Sequence, residues 1–501
     1  MTFQAMAPAT GSTYGNQITE DDQIRVNQVI EEADAVAQQL AALSPSELAA
    51  LLRAIARQIE AKRPELLVTA CAETALPEGR IGGEITRTTV QFERFAELVE
   101  SGENLRVVID KANAEYSPAP RPDIRKMNQP LGVVAIFAAS NFPLAFSVAG
   151  GDAASALASG NAVVAKAHPS HPNTCAIVAG AVKSALVEAG LSANLFSIVQ
   201  GVNPQITHWL ATHPGIQAIG FTGSERVGRI LVELGAKREV PIPVYAEMGS
   251  LNPLFITSGA IADRSEVLAK GLVDSALLGS GQFCTKPGLV FVPDDAAFIA
   301  TIKEHLAPLS VGALLSKSIA DRYSAAILEL SKLSGVEVLA GLSNENGFGV
   351  TPTFFITDWV SAQKNPHLLE EHFGPTTVII KAAQNDFVKI ASSLAGHLTT
   401  TIQGVENLDG VDSDDMSELI SILSHKSGRV IWNGFPTGVA VTAAMVHGGP
   451  WPSSSTHTTS VGVDAIYRFM RPVAYQGLPQ QLLPLPLQDA NPWRVPQVIN
   501  N

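Results

Sequence analysis

The chain has 501 residues, enough for about three domains at roughly 150 residues each. With 46% hydrophobic and only 16% charged residues it can fill large cores, which excludes a disordered chain. A net charge of −13 without any basic block excludes nucleic acid and anionic membrane surfaces as natural partners.

The first twenty residues are polar and are expected to be irregular; no basic residue precedes Arg25, so neither a signal peptide nor a transit peptide is expected. Residues 21–62 have helical spacing, with Ser44 and Glu47 set as a capping box. A helix is expected over 85–101, and the prolines at 118, 120, 122 and 130 predict an extended excursion over 115–130. From Leu131 to Ala165 the only charge is Asp152, but Ser140, Asn141, Pro143, Gly150 and Gly151 interrupt the run, so it reads as a buried strand and helix rather than a membrane span.

Strands are then expected at Val133–Ala138, Ala162–Lys166, Phe196–Gln200 and Ile216–Phe221. They alternate with helices at Gly151–Ala158, Asn173–Ala189 and Ser224–Gly235. That alternation predicts βαβ units and a parallel sheet, so the fold class is α/β. A second alternating block runs from Val267 to about Ile402, with strands at Leu289–Val292 and Val378–Ile380. The tail from Pro450 is rich in Pro, Ser, Thr and Gln and reads as an arm that packs on another subunit. Cys71, Cys175 and Cys284 are the only cysteines and form no CxxC, so neither a disulfide framework nor a structural metal is expected, and a reducing, cytoplasmic setting is.

Six short stretches could carry chemistry. Cys284, in Gly-Ser-Gly-Gln-Phe-Cys, is either an inert core thiol or a nucleophile beside oxyanion-binding N–H groups. Glu247, in Ala-Glu-Met-Gly, is either a structural carboxylate or a general base whose pKa burial would raise toward neutrality. Asn141, before Phe-Pro, either forms a turn or donates its amide to an oxyanion. Phe-Thr-Gly-Ser joins a strand to a helix, where Gly223 and Ser224 could meet a phosphate, although no GxGxxG fingerprint exists. Lys166 ends a strand where nucleotides bind in such sheets, or is simply a solvated strand-end lysine. Glu371, two residues before Phe373, could accept ribose hydroxyls while the ring supports a flat group.

Taken together and in this order, the six stretches resemble the aldehyde dehydrogenase superfamily over roughly residues 20–480. The resemblance implies a cofactor-binding domain (1–112 and 131–248), a catalytic domain (249–450) and an oligomerisation arm and tail (113–130 and 451–501), in a homodimer or homotetramer. It implies Cys284 as nucleophile toward a small aldehyde, Asn141 as oxyanion donor and Glu247 as the base that hydrolyses the thioester; a hydrolytic Glu247 argues against transfer to coenzyme A and against a non-catalytic relative. It also implies that Lys166, Gly223, Ser224, Glu371 and Phe373 hold the nicotinamide cofactor. The position three after Lys166, a ribose-binding Glu in many NAD-preferring members, is Pro169, followed by Ser170; losing that carboxylate favours NADP, with NAD also used. Ala-Ser-Asn-Phe-Pro-Leu-Ala-Phe-Ser-Val-Ala-Gly-Gly-Asp (139–152), Lys-Ala-His-Pro-Ser-His-Pro (166–172), Gly-Gln-Phe-Cys-Thr-Lys-Pro-Gly (281–288) and Met-Val-His-Gly-Gly-Pro (445–450) resemble the members that oxidise 2-oxoglutarate semialdehyde. Arg87, with Gln91 one helical turn on, is then the candidate for the substrate's distal carboxylate, and Phe146 for the entrance.

Overall fold

The computed structural model describes residues 1–405 and 413–500. It contains two parallel sheets that face the same cleft, and a smaller sheet apart from them. The first sheet has the strand order Phe196–Val199, Ala162–Lys166, Val133–Phe137, Ile216–Thr222, Val244–Glu247, all parallel. Val133–Phe137 is buried along its whole length, as a central strand covered by helices on both faces must be. Each of its large side chains contributes about 1.5–3 kcal/mol on burial. Register sets the working edge: Phe137 lies beside Lys166 and Phe221, and Thr222 beside Glu247, so these residues share the carboxyl end.

The second sheet has the order Glu337–Ala340, Thr353–Asp358, Thr376–Lys381, Leu289–Val292, Leu254–Ile256, His397–Gln403, Ser427–Trp432, and only its first pair is antiparallel. It presents the opposite edge: the segments ending in Asn252, Gly288 and Pro375 enter its strands from the cleft. The third sheet joins Met470–Gln476, Ile124–Pro130, Val107–Asp110 and Gln497–Asn500.

The helix Pro45–Ala61 starts with the expected capping box, Ser44 receiving the Glu47 N–H and Glu47 the Ser44 N–H, a device worth about 1 kcal/mol. The helix expected over 85–101 spans Glu78–Ser101. The start of the chain departs from expectation: Thr2–Ala7 and Ser12–Thr19 form an antiparallel hairpin closed by Gly11 at φ 71°. Its mostly polar strands bury little and lack an alternating pattern, which is why the sequence did not announce it. Among the described residues no helix is long and apolar enough to cross a membrane.

Candidate active site

Asn141 and Cys284 come from different sheets and meet through backbone. The Asn141 Nδ2 donates to the Gln282 carbonyl at 3.0 Å, two residues before the thiol. Gly279, Ser280 and Gly281 all have φ near +60°, which makes the tight turn ahead of it. A Cβ on Gly281 would lie 2.2 Å from the Gly374 carbonyl, so glycine is required for the two segments to touch. The Arg80 guanidinium sits 4.4 Å from the Phe142 ring and 4.5 Å from the Phe283 ring, bridging the residues next to Asn141 and Cys284. It is paired at 2.9 Å with buried Glu84, whose carboxylate also receives the Leu144 and Ala145 N–H groups.

The thiol of Cys284 has two neighbours that can take a proton. Its Sγ lies 3.5 Å from Nε2 of His447, and that nitrogen lies 3.0 Å from Oε1 of Glu247. His447 and Glu247 are almost fully buried, while Cys284 keeps part of its surface open to the cleft. The other Glu247 oxygen, Oε2, accepts from Ser460 Oγ at 2.6 Å. Burial, followed by the charge of Glu247, pushes the Cys284 thiol well above its ordinary range. Glu247 itself departs from expectation. Burial does push its carboxyl up, but the adjacent His447 and the donors from His447, Ser460 and Cys284 outweigh it and hold the group below its ordinary 4.5. It is a base because it is ionised next to the thiol, not because burial has brought it near neutrality.

A buried polar lattice fixes the cofactor-facing side. Asn252, at φ 47° and fully buried, donates its Nδ2 to the carbonyls of Cys284 and Lys286, both at 2.8 Å. The Lys286 ammonium then donates to the carbonyls of His372, Gly374 and Thr376 at 3.0, 2.8 and 2.7 Å. Three N–H bonds and three converging carbonyls tie the nucleophile's turn to the segment carrying Glu371. The Glu371 carboxylate accepts the Ser250 N–H at 3.3 Å, and a Cβ on Gly249 would come within 2.0 Å of it. Burial pushes Glu371 above its ordinary value, with Lys286 acting in the opposite direction.

The remaining expected cofactor residues line the carboxyl edge of the first sheet. Lys166 Nζ donates to the Gly201 and Ala167 carbonyls at 2.6 and 2.9 Å, and burial lowers it to about 8. Ser170 lies beyond it, its N–H on Nδ1 of His168. The Gly223 N–H donates to the Glu247 carbonyl at 3.0 Å, and Ser224 starts the helix Glu225–Lys237 without a side-chain capping bond. No side chain therefore covers the N–H groups at that helix start, which suits a pyrophosphate. Phe373 is half-buried beside Glu371. An amine, a helix start without a side-chain cap and a carboxylate with one long N–H contact form a set of polar groups that fits a dinucleotide.

On the substrate side, Arg87 is half-buried 5.4 Å from the Phe146 ring, and one N–H bonds the Val439 carbonyl. Its Nε and Nη2 are buried without any partner. Phe146 is buried against Phe142 and lies 6.0 Å from the His447 ring. Gln91 lies deeper, donating weakly to the Ala145 carbonyl at 3.4 Å. His447, Lys286 and Arg80 received no role from sequence. His447 and Lys286 lie inside stretches singled out there, so the signal existed, but their partners are remote in the chain.

The model of the aldehyde dehydrogenase family matches residues 1–471. The chain is 42% identical to alpha-ketoglutaric semialdehyde dehydrogenase 2 of Azospirillum brasilense over 456 residues, 90% of this chain and 86% of that one. It is 41% identical to the alpha-ketoglutaric semialdehyde dehydrogenase of Acinetobacter baylyi, over 89% of this chain and 85% of that one. Among solved structures, glyceraldehyde-3-phosphate dehydrogenase of Methanocaldococcus jannaschii, complexed with NADP, shares the fold with a TM-score of 0.79 at 19% identity, covering 94% of this chain and 99% of that one. The chain thus belongs to the aldehyde dehydrogenase family and is an NAD(P)-dependent oxidoreductase acting on aldehydes.

Proposed function

We propose that the enzyme oxidises an aldehyde with a carboxylate at its far end, 2-oxoglutarate semialdehyde being the best fit, to the corresponding acid. The observation that carries this reading is the meeting of Cys284, His447 and Glu247 in one pocket, with Arg87 beyond Phe146 holding two unmatched donor nitrogens. The thiol passes its proton to His447 or Glu247, and the thiolate attacks the carbonyl carbon. The Asn141 amide, already aimed toward this turn, stabilises the oxyanion that forms. A nicotinamide held here would supply the hydride acceptor, and loss of hydride from the carbon bound to Cys284 would leave a thioester on the sulfur. Glu247 then deprotonates water to hydrolyse it. Lys166, Ser170, Gly223, Ser224, Glu371 and Phe373 hold the cofactor, with NADP preferred because no carboxylate stands at Pro169 or Ser170. Arg87 receives the distal carboxylate, Gln91 supports the loop beneath it, and Phe146 shapes the entrance. The relatives named for the same substrate support the assignment.

We read 113–130 and 451–501 as an oligomerisation arm and tail in a cytoplasmic homodimer or homotetramer: Ile124–Pro130, Met470–Gln476 and Gln497–Asn500 join Val107–Asp110 in the separate four-stranded sheet, whereas the first part of the tail stays at the active site, where Ser460 bonds Glu247. The cofactor-binding and catalytic domains take 1–112 with 131–248, and 249–450.

The test is an aldehyde panel with both cofactors: 2-oxoglutarate semialdehyde, succinate semialdehyde and a neutral aliphatic aldehyde. We expect kcat/KM for the first to exceed that for the neutral aldehyde at least tenfold, about 1.4 kcal/mol of charge recognition. Arg87→Ala should raise KM for the dioxo acid and leave KM for the neutral aldehyde unchanged. Equal losses on both would remove the clamp, and retained turnover in Cys284→Ala would remove the mechanism.

A further inference from the structure

Among the described residues, Glu247, Cys284 and His447 are the only three potential metal-ligating side chains whose ligand atoms all lie within 4.8 Å of one another. We propose that these three side chains also form an inhibitory binding site for a thiophilic divalent cation, with Zn²⁺ the best match. The ligand set is a thiolate, an imidazole and a carboxylate, the combination that selects zinc over magnesium or calcium. Tetrahedral zinc, with bonds of about 2.0–2.3 Å, holds its ligand atoms roughly 3.3–3.6 Å apart. The sulfur-to-imidazole edge, 3.5 Å, already fits; the imidazole-to-carboxylate edge, 3.0 Å, has to open by a few tenths of an ångström, and the sulfur-to-carboxylate edge lies within 4.8 Å.

Two further features favour an ion. Glu247 Oε1 is buried, faces His447 Nε2 at 3.0 Å and has no other partner, whereas Oε2 is held by Ser460. One oxygen is therefore oriented from behind, and the other coordinates once His447 turns its nitrogen to the ion, the usual division of labour around a metal. Cys284 stays part-exposed, which gives an entry path and leaves a fourth position for water. On binding, Zn²⁺ displaces the thiol proton to solvent and occupies the electron pair that would attack the aldehyde. The inference shares the pocket of the proposed reaction but not its chemistry, because a chain that turned over no aldehyde would still bind the ion.

The experiment is calorimetric titration of the cofactor-free enzyme with Zn²⁺, and with Co²⁺ as a spectroscopic substitute. The expected result is one ion per subunit with micromolar or tighter Kd, a sulfur-to-cobalt charge-transfer band, and protection of Cys284 from alkylation that a chelator reverses. Cys284→Ala should abolish the band, and His447→Ala should weaken binding at least tenfold. Cys71→Ala, remote from the cleft, should change nothing. If His447→Ala does not fold, Glu247→Gln, which keeps the side-chain shape, carries the test with an expected loss of at least threefold. Unchanged affinity in whichever of these two variants folds would mean that sulfur alone captures the ion, and the three-ligand site would be overturned.

Discussion

Two carboxylates flank the cleft, and they differ in what faces them. Glu247 looks onto an imidazole and a serine hydroxyl, and its carboxyl is held below its ordinary value although it is almost wholly buried. Glu371 receives one long backbone N–H, while the nearby Lys286 spends all three of its N–H groups on carbonyls, and the carboxyl is pushed up. Depth of burial does not separate the two; donors aimed at the charge do. The first region is built for proton chemistry, and the second keeps a carboxylate under-satisfied so that incoming hydroxyls complete it.

The largest way to break this contrast is Glu247→Gln. It keeps the shape and removes the base, so deacylation should slow by about 10²–10³-fold while the first NAD(P)H burst persists. Rapid-quench or stopped-flow measurement of burst against steady state reads it; a lost burst with an unaltered steady-state ratio would place Glu247 in the first half-reaction instead. Next, Lys286→Met removes the ammonium donor from the carbonyls of His372, Gly374 and Thr376, of which Gly374 keeps the Thr376 N–H; a buried carbonyl left without a donor costs about 1–3 kcal/mol. Calorimetry should show a lower Tm, and nucleotide titration a cofactor Kd raised roughly tenfold (about 1.4 kcal/mol). A lower Tm with unchanged Kd would make the lysine a strut of the fold only. The smallest effect is in pH. Glu371 sits above its ordinary value, so acidification should protonate it first and raise KM for the cofactor severalfold. Glu247 sits below its own, so hydrolysis of the thioester should keep its base over the same interval. A deacylation rate that fell together with cofactor affinity would reverse the contrast.

Much of the frame was legible in the chain. Val133–Phe137 and Ala162–Lys166 were visible because a strand buried on both faces is a continuous apolar run. Ser44 and Glu47 were visible because a cap is local. Cys284, Glu247 and Asn141 stood out through their motifs, and the fold brings them to one cleft. His447 was not legible as a partner of Cys284, because its neighbours are 163 and 200 residues away in the chain and only packing unites them. The direction of the Glu247 shift failed for the same reason: burial can be guessed from local composition, whereas a facing imidazole cannot. Lys286 carried no signal of its own, since nothing local shows that it meets three carbonyls of a segment some ninety residues further on.

Asn252 has one more property, a matter of chemical ageing. Asparagine side chains decay when the next residue's backbone nitrogen attacks the amide and closes a succinimide ring. Here that nitrogen belongs to Pro253, which carries no hydrogen to lose. The amide that steadies both the Cys284 and the Lys286 carbonyls is therefore shielded from spontaneous deamidation by its own neighbour, and long storage should leave this joint intact.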